Sequence, residues 1–206
     1  MKDFGLVVIG AHSGSWLSDL IKKYIDQNIL LVEPVPYNLK ILNNRYSSFK
    51  NIDICKKAIF SKNKIESFFF VKEDSIKKLG KHWASGIGSF DKNHILNHRS
   101  KRFVIDENDI SEIKVEFITF EKLVEQYSIR SIDMLQVDIE GAEYELLKSI
   151  DLKMIEIKKI FFEFKHFDGT FRVGEKLIEI KEKFISSDYR LTQIDKENIL
   201  AEKNYL

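Results

Sequence analysis

Residues 6–14 are LVVIGAHSG. The first four form a continuous apolar run, which is typical of a strand buried on both faces of a sheet. Gly10 and Gly14 frame the turn that follows, and apolar residues then recur at helical spacing from Trp16 to Tyr24. Glycines let the backbone approach a ligand closely, and free N–H groups at a helix start favour polar or anionic groups. The stretch therefore predicts a ligand-binding turn in a parallel α/β sheet.

A second apolar run, from Ile29 to Val32, ends at Glu33. An acidic side chain at the tip of the second strand can accept hydrogen bonds from both hydroxyls of an adenosine ribose. This pair of features predicts a cofactor that contains adenosine. The glycines have the spacing G-x-x-x-G, whereas nicotinamide-dependent dehydrogenases use G-x-G-x-x-G. Methyltransferases that use S-adenosylmethionine tolerate looser patterns, because no pyrophosphate has to be cradled, so the loop favours them.

The second motif is DMLQVDIEGAE, residues 133–143. Its pattern predicts a buried strand that ends at Asp138 and a helix that begins near Gly141. Ligands of open parallel sheets bind outside the carboxyl ends of the strands. We expect the chain to turn here and to bring Asp138 and Glu140 toward the cleft. Glu143 is expected to lie at the helix N-terminus, where negative charge is favoured.

Strands and helices alternate along most of the remaining chain. The patterns predict strands at 52–59, 68–71, 132–137 and 157–164, helices at 37–46, 120–127, 142–150 and 173–184, and a closing hairpin at 189–205. This alternation is typical of a mostly parallel sheet that is covered on both faces. The stretch of about 72–116 is the most polar and least periodic. We predict it to be an insertion that covers the substrate, within a single domain over residues 1–206.

Composition excludes several classes of function. The chain has 206 residues, with 33 Lys and Arg against 32 Asp and Glu, and a net charge of +1. Such a balance argues against binding to nucleic acid or to an anionic membrane through a net positive charge. The single cysteine, Cys55, excludes an internal disulfide and a cysteine-based metal site. There is no membrane-length apolar run and no signal-peptide layout, so a cytoplasmic location is expected.

Three segments resemble the FkbM family of S-adenosylmethionine-dependent methyltransferases, namely residues 7–14, 31–36 and 135–143. Residues 85–96 and 161–164 are also similar to family segments, so the resemblance spans about residues 5–194. It implies the class I methyltransferase fold, a Rossmann-like three-layer α/β sandwich with a seven-stranded, mostly parallel sheet and one antiparallel strand. It also implies S-adenosyl-L-methionine as cofactor and methyl transfer to a hydroxyl oxygen, commonly on sugars or polyketide-like small molecules.

The resemblance and the strand-end argument together predict a set of cofactor-binding residues. Val8 stands where the family commonly has an acidic residue, so Asp138 is expected to hold the methionine ammonium group of the cofactor instead. Lys57 and Ala58 lie toward the end of the third predicted strand region, 52–59, where class I enzymes usually contact adenine. The complete predicted set is Gly10, Ala11, His12, Ser13, Gly14, Glu33, Pro34, Lys57, Ala58, Asp138 and Glu140.

The predicted catalytic residues are His166, Asp138 and Glu163. A hydroxyl acceptor needs a base within about 2.6–3.2 Å of its proton, and histidine suits this role near neutral pH. His166 follows the predicted strand 157–164, so it is expected at the carboxyl edge of the sheet, facing the cleft. We favour His166 as the base, with Asp138 or Glu163 as its orienting partner. The alternative is an exposed loop histidine.

The predicted substrate-binding residues lie in the insertion and are Trp83, Ser89, His94 and His98. His94 and His98 are spaced i, i+4 and face the same way if that segment is helical. This spacing can bind a metal, but a third ligand is needed, so no metal is predicted. The segment 92–102 is basic and is suited to an anionic glycan, a phosphate or a nucleotide-linked sugar. Trp83 could stack on a sugar or on adenine, or could anchor the insertion.

The leading hypothesis is therefore an O-methyltransferase that acts on a hydroxyl of a small molecule or glycan. The alternatives are a methyltransferase that acts on nucleic acid or another nitrogen acceptor, a nicotinamide-dependent oxidoreductase, and a non-catalytic module that binds the cofactor. Base methylation commonly uses an Asp/Asn-Pro-Pro-aromatic turn after the fourth strand, and this chain has Asp-Ile-Glu-Gly there. No nucleic-acid partner and no membrane span are expected, and open edges of the cofactor site are compatible with a homodimer.

Overall fold

A computed structural model describes residues 1–80, 82–98 and 104–205. The strands are β1 (Lys2–Ile9), β2 (Asn28–Val32), β3 (Ile52–Cys55), β4 (Ala58–Ile59), β5 (Lys64–Val71), β6 (Gly88–Ser89), β7 (Ile110–Ile118), β8 (Ile129–Val137), β9 (Glu156–Glu163), β10 (Tyr189–Gln193) and β11 (Asn198–Lys203). The helices are α1 (Ser18–Lys23), α2 (Pro36–Tyr46), α3 (Glu73–Leu79), α4 (Lys92–Asn97), α5 (Phe120–Gln126), α6 (Glu143–Ser149) and α7 (Glu175–Ser186).

The central sheet has seven strands in the order β10-β11-β9-β8-β1-β2-β3. The five strands from β9 to β3 are parallel to one another, and β11 is antiparallel to both of its neighbours. Six strands therefore share one direction and one opposes them, which confirms the predicted class I methyltransferase fold. The predicted closing hairpin is the β10–β11 pair.

Both faces of this sheet are covered, which explains the uninterrupted apolar run of β1. Leu6 and Val8 pack on one face with residues of α1 and α2, including Leu17 and Leu42. Val7 and Ile9 pack on the opposite face, in a larger core that includes residues of α5, α6 and α7. All four β1 residues from 6 to 9 are buried, because successive side chains of a strand point to opposite faces.

A second sheet of four strands, in the order β4-β7-β5-β6, forms most of the insertion. The insertion is wider than the predicted 72–116, because β5 pairs with β7 along its whole length, from Lys64 opposite Phe117 to Val71 opposite Ile110. Most of β7 lies within residues 72–116. Its charged residues made this part of the sequence appear irregular. Among the described residues, no helix has the length and apolar character needed to cross a bilayer.

Candidate active site at the strand ends

The tips of β1, β2 and β8 meet at the carboxyl edge of the central sheet. The backbone N–H of Gly10 donates to the Val32 carbonyl (3.0 Å), and that of Asp138 donates to the Ile9 carbonyl (3.0 Å). Gly10, Glu33 and Asp138 all line one cavity, which we call the inner cavity. Three motifs that are far apart in the sequence thus form a single site, as the strand-end argument predicted.

Gly10 is required at its position by the close approach of two backbones. Its φ is +91°, and a Cβ there would lie 1.7 Å from the Asp138 carbonyl oxygen. Two residues later, His12 has a φ of 52°, a conformation that non-glycine residues seldom adopt. The His12 backbone N–H donates to the Glu33 carboxylate (2.9 Å), and this bond holds the turn against the second strand.

Glu33 is buried at the wall of the inner cavity, with 5% of its surface exposed. Its carboxylate accepts hydrogen bonds from the N–H groups of His12 and Val35, the latter at 2.8 Å. Burial raises the pKa of Glu33 to about 7, although these backbone donors act in the opposite direction. A carboxylate oxygen can accept more than one hydrogen bond, so the group can still accept from a sugar hydroxyl.

The insertion supplies the other wall of the inner cavity. Phe68, Gly88, Ser89 and Phe90 line it opposite the strand tips. Hydrogen bonds tie this wall to the elements around the central sheet. Asn38 Nδ2 donates to the Ser85 carbonyl (2.9 Å), Tyr37 Oη donates to the Val71 carbonyl (3.0 Å), and His12 Nε2 lies 2.6 Å from Ser85 Oγ. The insertion therefore forms part of the wall of the inner cavity.

The structure divides the predicted cofactor-binding residues into two groups. Those that line the inner cavity are Gly10, His12, Glu33, Pro34, Lys57, Ala58 and Asp138. Ala11, Ser13, Gly14 and Glu140 are not part of its lining. Gly14 instead packs on α2, since a Cβ there would lie 2.7–2.8 Å from side-chain atoms of Tyr46 and Leu42.

A second, more open space adjoins the inner cavity, and we call it the outer cleft. Its lining includes Trp16 and Glu140, together with four residues that line the inner cavity as well, namely Gly10, His12, Gly86 and Asp138. Asp138 thus lies at the junction of the two spaces. Of the predicted substrate-binding residues, Ser89 lines the inner cavity rather than the outer cleft, and the Trp83 side chain lies outside the described residues.

Glu143 shapes the loop that carries Asp138 and Glu140. Its buried carboxylate accepts hydrogen bonds from the backbone N–H groups of Ile139 (2.7 Å) and Gly141 (2.9 Å). Between these bonds, Glu140 has a φ of 54° and Gly141 a φ of 103°. Burial raises the pKa of Glu143 to about 8. The sequence predicted Glu143 only as a favourable charge at the helix N-terminus. Its bonds to the backbone of its own loop were not predicted, because they depend on how the backbone turns there.

Of the predicted catalytic residues, Asp138 lines both spaces, whereas Glu163 and His166 line neither. One carboxylate oxygen from each of Asp138, Glu143 and Glu163 lies within 4.8 Å of the other two. Burial raises the pKa of Asp138 and of Glu163. Lys165, which the sequence analysis did not single out, lies 2.5 Å from Glu163 and offsets part of this charge.

His166 is at the predicted edge of the sheet but not at its surface. Its side chain is fully buried, with Nε2 3.3 Å from Glu140 and 3.6 Å from Glu163. Burial lowers the pKa of His166. The alternative of an exposed loop histidine is therefore wrong, and His166 lines neither the inner cavity nor the outer cleft.

Comparison with known protein families identifies the chain. The family model described as the methyltransferase FkbM domain matches residues 9–191. This chain belongs to the FkbM methyltransferase family. It is a methyltransferase enzyme whose cofactor is S-adenosylmethionine, as the three sequence segments predicted. A search of curated proteins finds no matching sequence.

Solved structures with similar chain traces include other methyltransferases. The fibrillarin pre-rRNA processing protein of Methanococcus jannaschii has a TM-score of 0.49 and 12% identity, over 98% of this chain and 67% of that one. The precorrin-6y C5,15-methyltransferase of Geobacter metallireducens has a TM-score of 0.47 and 11% identity, over 98% and 82% of the two chains.

This FkbM methyltransferase departs from the family pattern at Val8, and the structure shows where that side chain lies. Val8 is fully buried in the core beside α1 and α2, and it is not part of the lining of either space. Asp138 does line both. The inner cavity fits the cofactor, because apolar side chains such as Val35 and Phe68 suit an adenine ring and buried Glu33 suits a ribose.

Proposed function

We propose that this FkbM methyltransferase transfers a methyl group to a hydroxyl oxygen of a small molecule or glycan. The observation that carries the proposal is the place of Asp138, which lines both the inner cavity and the outer cleft. An acceptor that enters through the outer cleft meets a carboxylate at the point where it approaches the cofactor. A hydroxyl acceptor needs such a group, because its proton must be removed during the transfer.

The cofactor-binding part of this proposal follows the strand tips. Glu33 accepts the ribose hydroxyls, while Pro34, Lys57 and Ala58 border the adenine. The ammonium group of the methionine moiety lies against Asp138, at the junction with the outer cleft. When bound, S-adenosylmethionine supplies an electrophilic methyl group on its sulfonium. The chain's own part is to orient the acceptor oxygen in line with that methyl group and to exclude water around it.

We assign the role of proton acceptor to Asp138 among the three predicted catalytic residues. His166 was favoured for this role, but its complete burial leaves Asp138 as the one of the three that an acceptor in the outer cleft can touch. Glu163 and His166 lie behind the Asp138 loop and act as positioning residues. Glu140 also lines the outer cleft.

The test is a transfer assay with S-adenosylmethionine that carries a trideuterated methyl group. The acceptor panel contains sugars, short glycans, phenols and small alcohols, with short RNAs and amines as competing classes. We expect a trideuterated methyl ether on an oxygen, detected by mass spectrometry. Methylation of RNA or of amines alone would contradict the proposal. Tight binding of S-adenosylhomocysteine without transfer to any hydroxyl acceptor would also contradict it, and would indicate a non-catalytic module.

Glu33→Ala should weaken the binding of S-adenosylhomocysteine by about 1–3 kcal/mol, because charged hydrogen bonds to the ribose are lost. Calorimetry measures this effect directly. Glu182→Ala removes an exposed carboxylate of α7 that lines neither space, and it serves as the matched control. An unchanged dissociation constant in Glu33→Ala would remove the ribose assignment.

The affinity for S-adenosylhomocysteine should rise as the pH is raised from 6 to 8. The pKa of Glu33 is about 7 in the free protein, so the carboxyl group is largely protonated at pH 6. Ribose hydroxyls that donate to Glu33 favour its ionised form. Binding at a pH below the pKa of Glu33 therefore releases a proton. The profile is compared with that of Glu33→Gln, which lacks the titrating carboxyl group. Parallel profiles for the two proteins would contradict the assignment.

A further inference from the structure

Four potential metal ligands converge beside the outer cleft, from three separate parts of the chain. His94 and His98 lie one turn apart on and just after α4, Glu140 follows β8, and His166 follows β9. One ligand atom from each lies within 4.8 Å of the others. The Glu140 Oε2 atom is 3.3 Å from Nε2 of His166, 3.7 Å from that of His98 and 4.0 Å from that of His94.

These groups are buried and their polar atoms are not satisfied by the protein. The three histidine side chains are at least nine-tenths buried, and His166 is completely so. Within the described part of the chain, no hydrogen-bond partner exists for His94 Nε2, Glu140 Oε2 or either ring nitrogen of His166. A buried polar atom without a partner costs about 1–3 kcal/mol. His166 Nε2 and His94 Nε2 lie 3.3 and 4.0 Å from Glu140 Oε2, so three such atoms adjoin one another and indicate a missing occupant.

The distances fit a tetrahedral metal ion. Bonds of 2.0–2.2 Å to nitrogen and oxygen ligands place neighbouring ligand atoms about 3.3–3.5 Å apart. The distance from Glu140 Oε2 to His166 Nε2 already has this value. The distances from Glu140 Oε2 to His98 and to His94 need to shorten by less than about 1 Å, which side-chain rotation can supply. His98 is also oriented for this role. Its Nδ1 lies 2.9 Å from the His94 carbonyl oxygen, so its Nε2 is the atom that is available to a metal.

We propose that His94, His98, Glu140 and His166 bind one divalent transition-metal ion, with zinc as the preferred ion. Three imidazoles and one carboxylate form a nitrogen-rich, four-coordinate set, which suits zinc far better than magnesium or calcium. Because four protein ligands fill a tetrahedral shell, the site is structural. It fastens α4 of the insertion to the loops that follow β8 and β9.

The packing around the cluster supports this tie. A Cβ on Gly141 would lie 2.8 Å from Cε1 of His94, so the loop after β8 touches α4 directly. Phe171 covers the other side, with its ring 5.4 Å from that of His166 and 6.2 Å from that of His98. Such an apolar cover excludes water from a metal site. The i, i+4 spacing of His94 and His98 supplied two ligands, and the fold adds the remaining two.

The test uses the full-length chain, first stripped by dialysis against a chelator and then titrated with zinc chloride or cobalt chloride alone. We expect one ion per chain, the strong visible absorption of tetrahedral cobalt, and displacement of cobalt by zinc. Saturating zinc should raise the melting temperature by about 5–10 °C. No binding at micromolar zinc, or only the faint absorption of octahedral cobalt, would overturn the proposal.

Variants separate the cluster from unspecific metal binding. His98→Ala and Glu140→Gln should each weaken zinc binding at least about 100-fold, since even indirect partners of metal ligands cost 10–100-fold. Asn97→Ala changes an exposed residue of the same helix and should bind zinc as the wild type does. Circular dichroism confirms that each variant is folded. Equal zinc affinity in all four proteins would place the metal elsewhere and overturn the proposal.

Discussion

Asp138→Asn should lower the turnover of a hydroxyl acceptor by about 10²–10⁴-fold at saturating S-adenosylmethionine, which is the usual contribution of general acid–base catalysis. The amide has nearly the same shape as the carboxyl group, but it cannot accept the acceptor's proton. The backbone N–H of residue 138, which bonds to the Ile9 carbonyl, is unaffected by the change. Initial rates with the acceptor found in the transfer assay measure the effect.

Two comparisons make this result specific. Asp151→Asn alters an exposed carboxylate that caps the Lys153 backbone N–H, and it should leave turnover unchanged. Binding of S-adenosylhomocysteine to Asp138→Asn should weaken by about tenfold, less than turnover falls, because Asp138 also faces the ammonium group of the cofactor. Wild-type turnover in Asp138→Asn would show that another group takes the proton.

Gly10→Ala should destabilise the folded chain by about 3–5 kcal/mol, the sum of left-handed backbone strain and a backbone clash. The new Cβ would lie 1.7 Å from the Asp138 carbonyl oxygen, and relief requires the tips of β1 and β8 to separate. Urea unfolding, followed by the fluorescence of the two tryptophans, gives the free energy of unfolding.

Gly80 provides a control with the same backbone conformation but without the clash. It ends α3 with a φ of +61°, and a Cβ there meets nothing within 4 Å. Gly80→Ala should therefore cost only about 1 kcal/mol. An equal loss of stability in the two variants would mean that the backbones at Gly10 and Asp138 are not as close as described.

The convergence of the strand tips could be predicted from the sequence because each tip carries a local signal. An unbroken apolar run indicates a strand that is buried on both faces, and a parallel sheet brings the carboxyl ends of such strands to one edge. Gly10, Glu33 and Asp138 each follow such a run directly. Their common place in the inner cavity therefore needs no knowledge of the loops between them.

The extent of the insertion was harder to predict. Strand β7, with the sequence ISEIKVEFI, alternates apolar and charged residues over part of its length, and this alternation was the available signal. Its charged residues face solvent, so the segment resembled a polar loop. Its partner β5 likewise begins with polar residues, and only its Phe-rich end was predicted as a strand.

The details of the site depend on contacts that no local pattern specifies. His166 and Glu140 approach His94 and His98 only because α4 packs over the loops after β8 and β9. The burial of His166 follows from the same packing, which is why a residue expected to face the cleft lies beneath it. Glu143 binds backbone N–H groups of its own loop, a role that depends on the left-handed conformations at residues 140 and 141.

The most direct test of the central claim is a crystal structure of the chain with S-adenosylhomocysteine. We predict that the adenosine occupies the inner cavity, that both ribose hydroxyls donate to Glu33, and that the sulfur points past Asp138 into the outer cleft. A nucleoside bound away from the tips of β1, β2 and β8 would contradict the account. So would a ribose that makes no hydrogen bond to the Glu33 carboxylate.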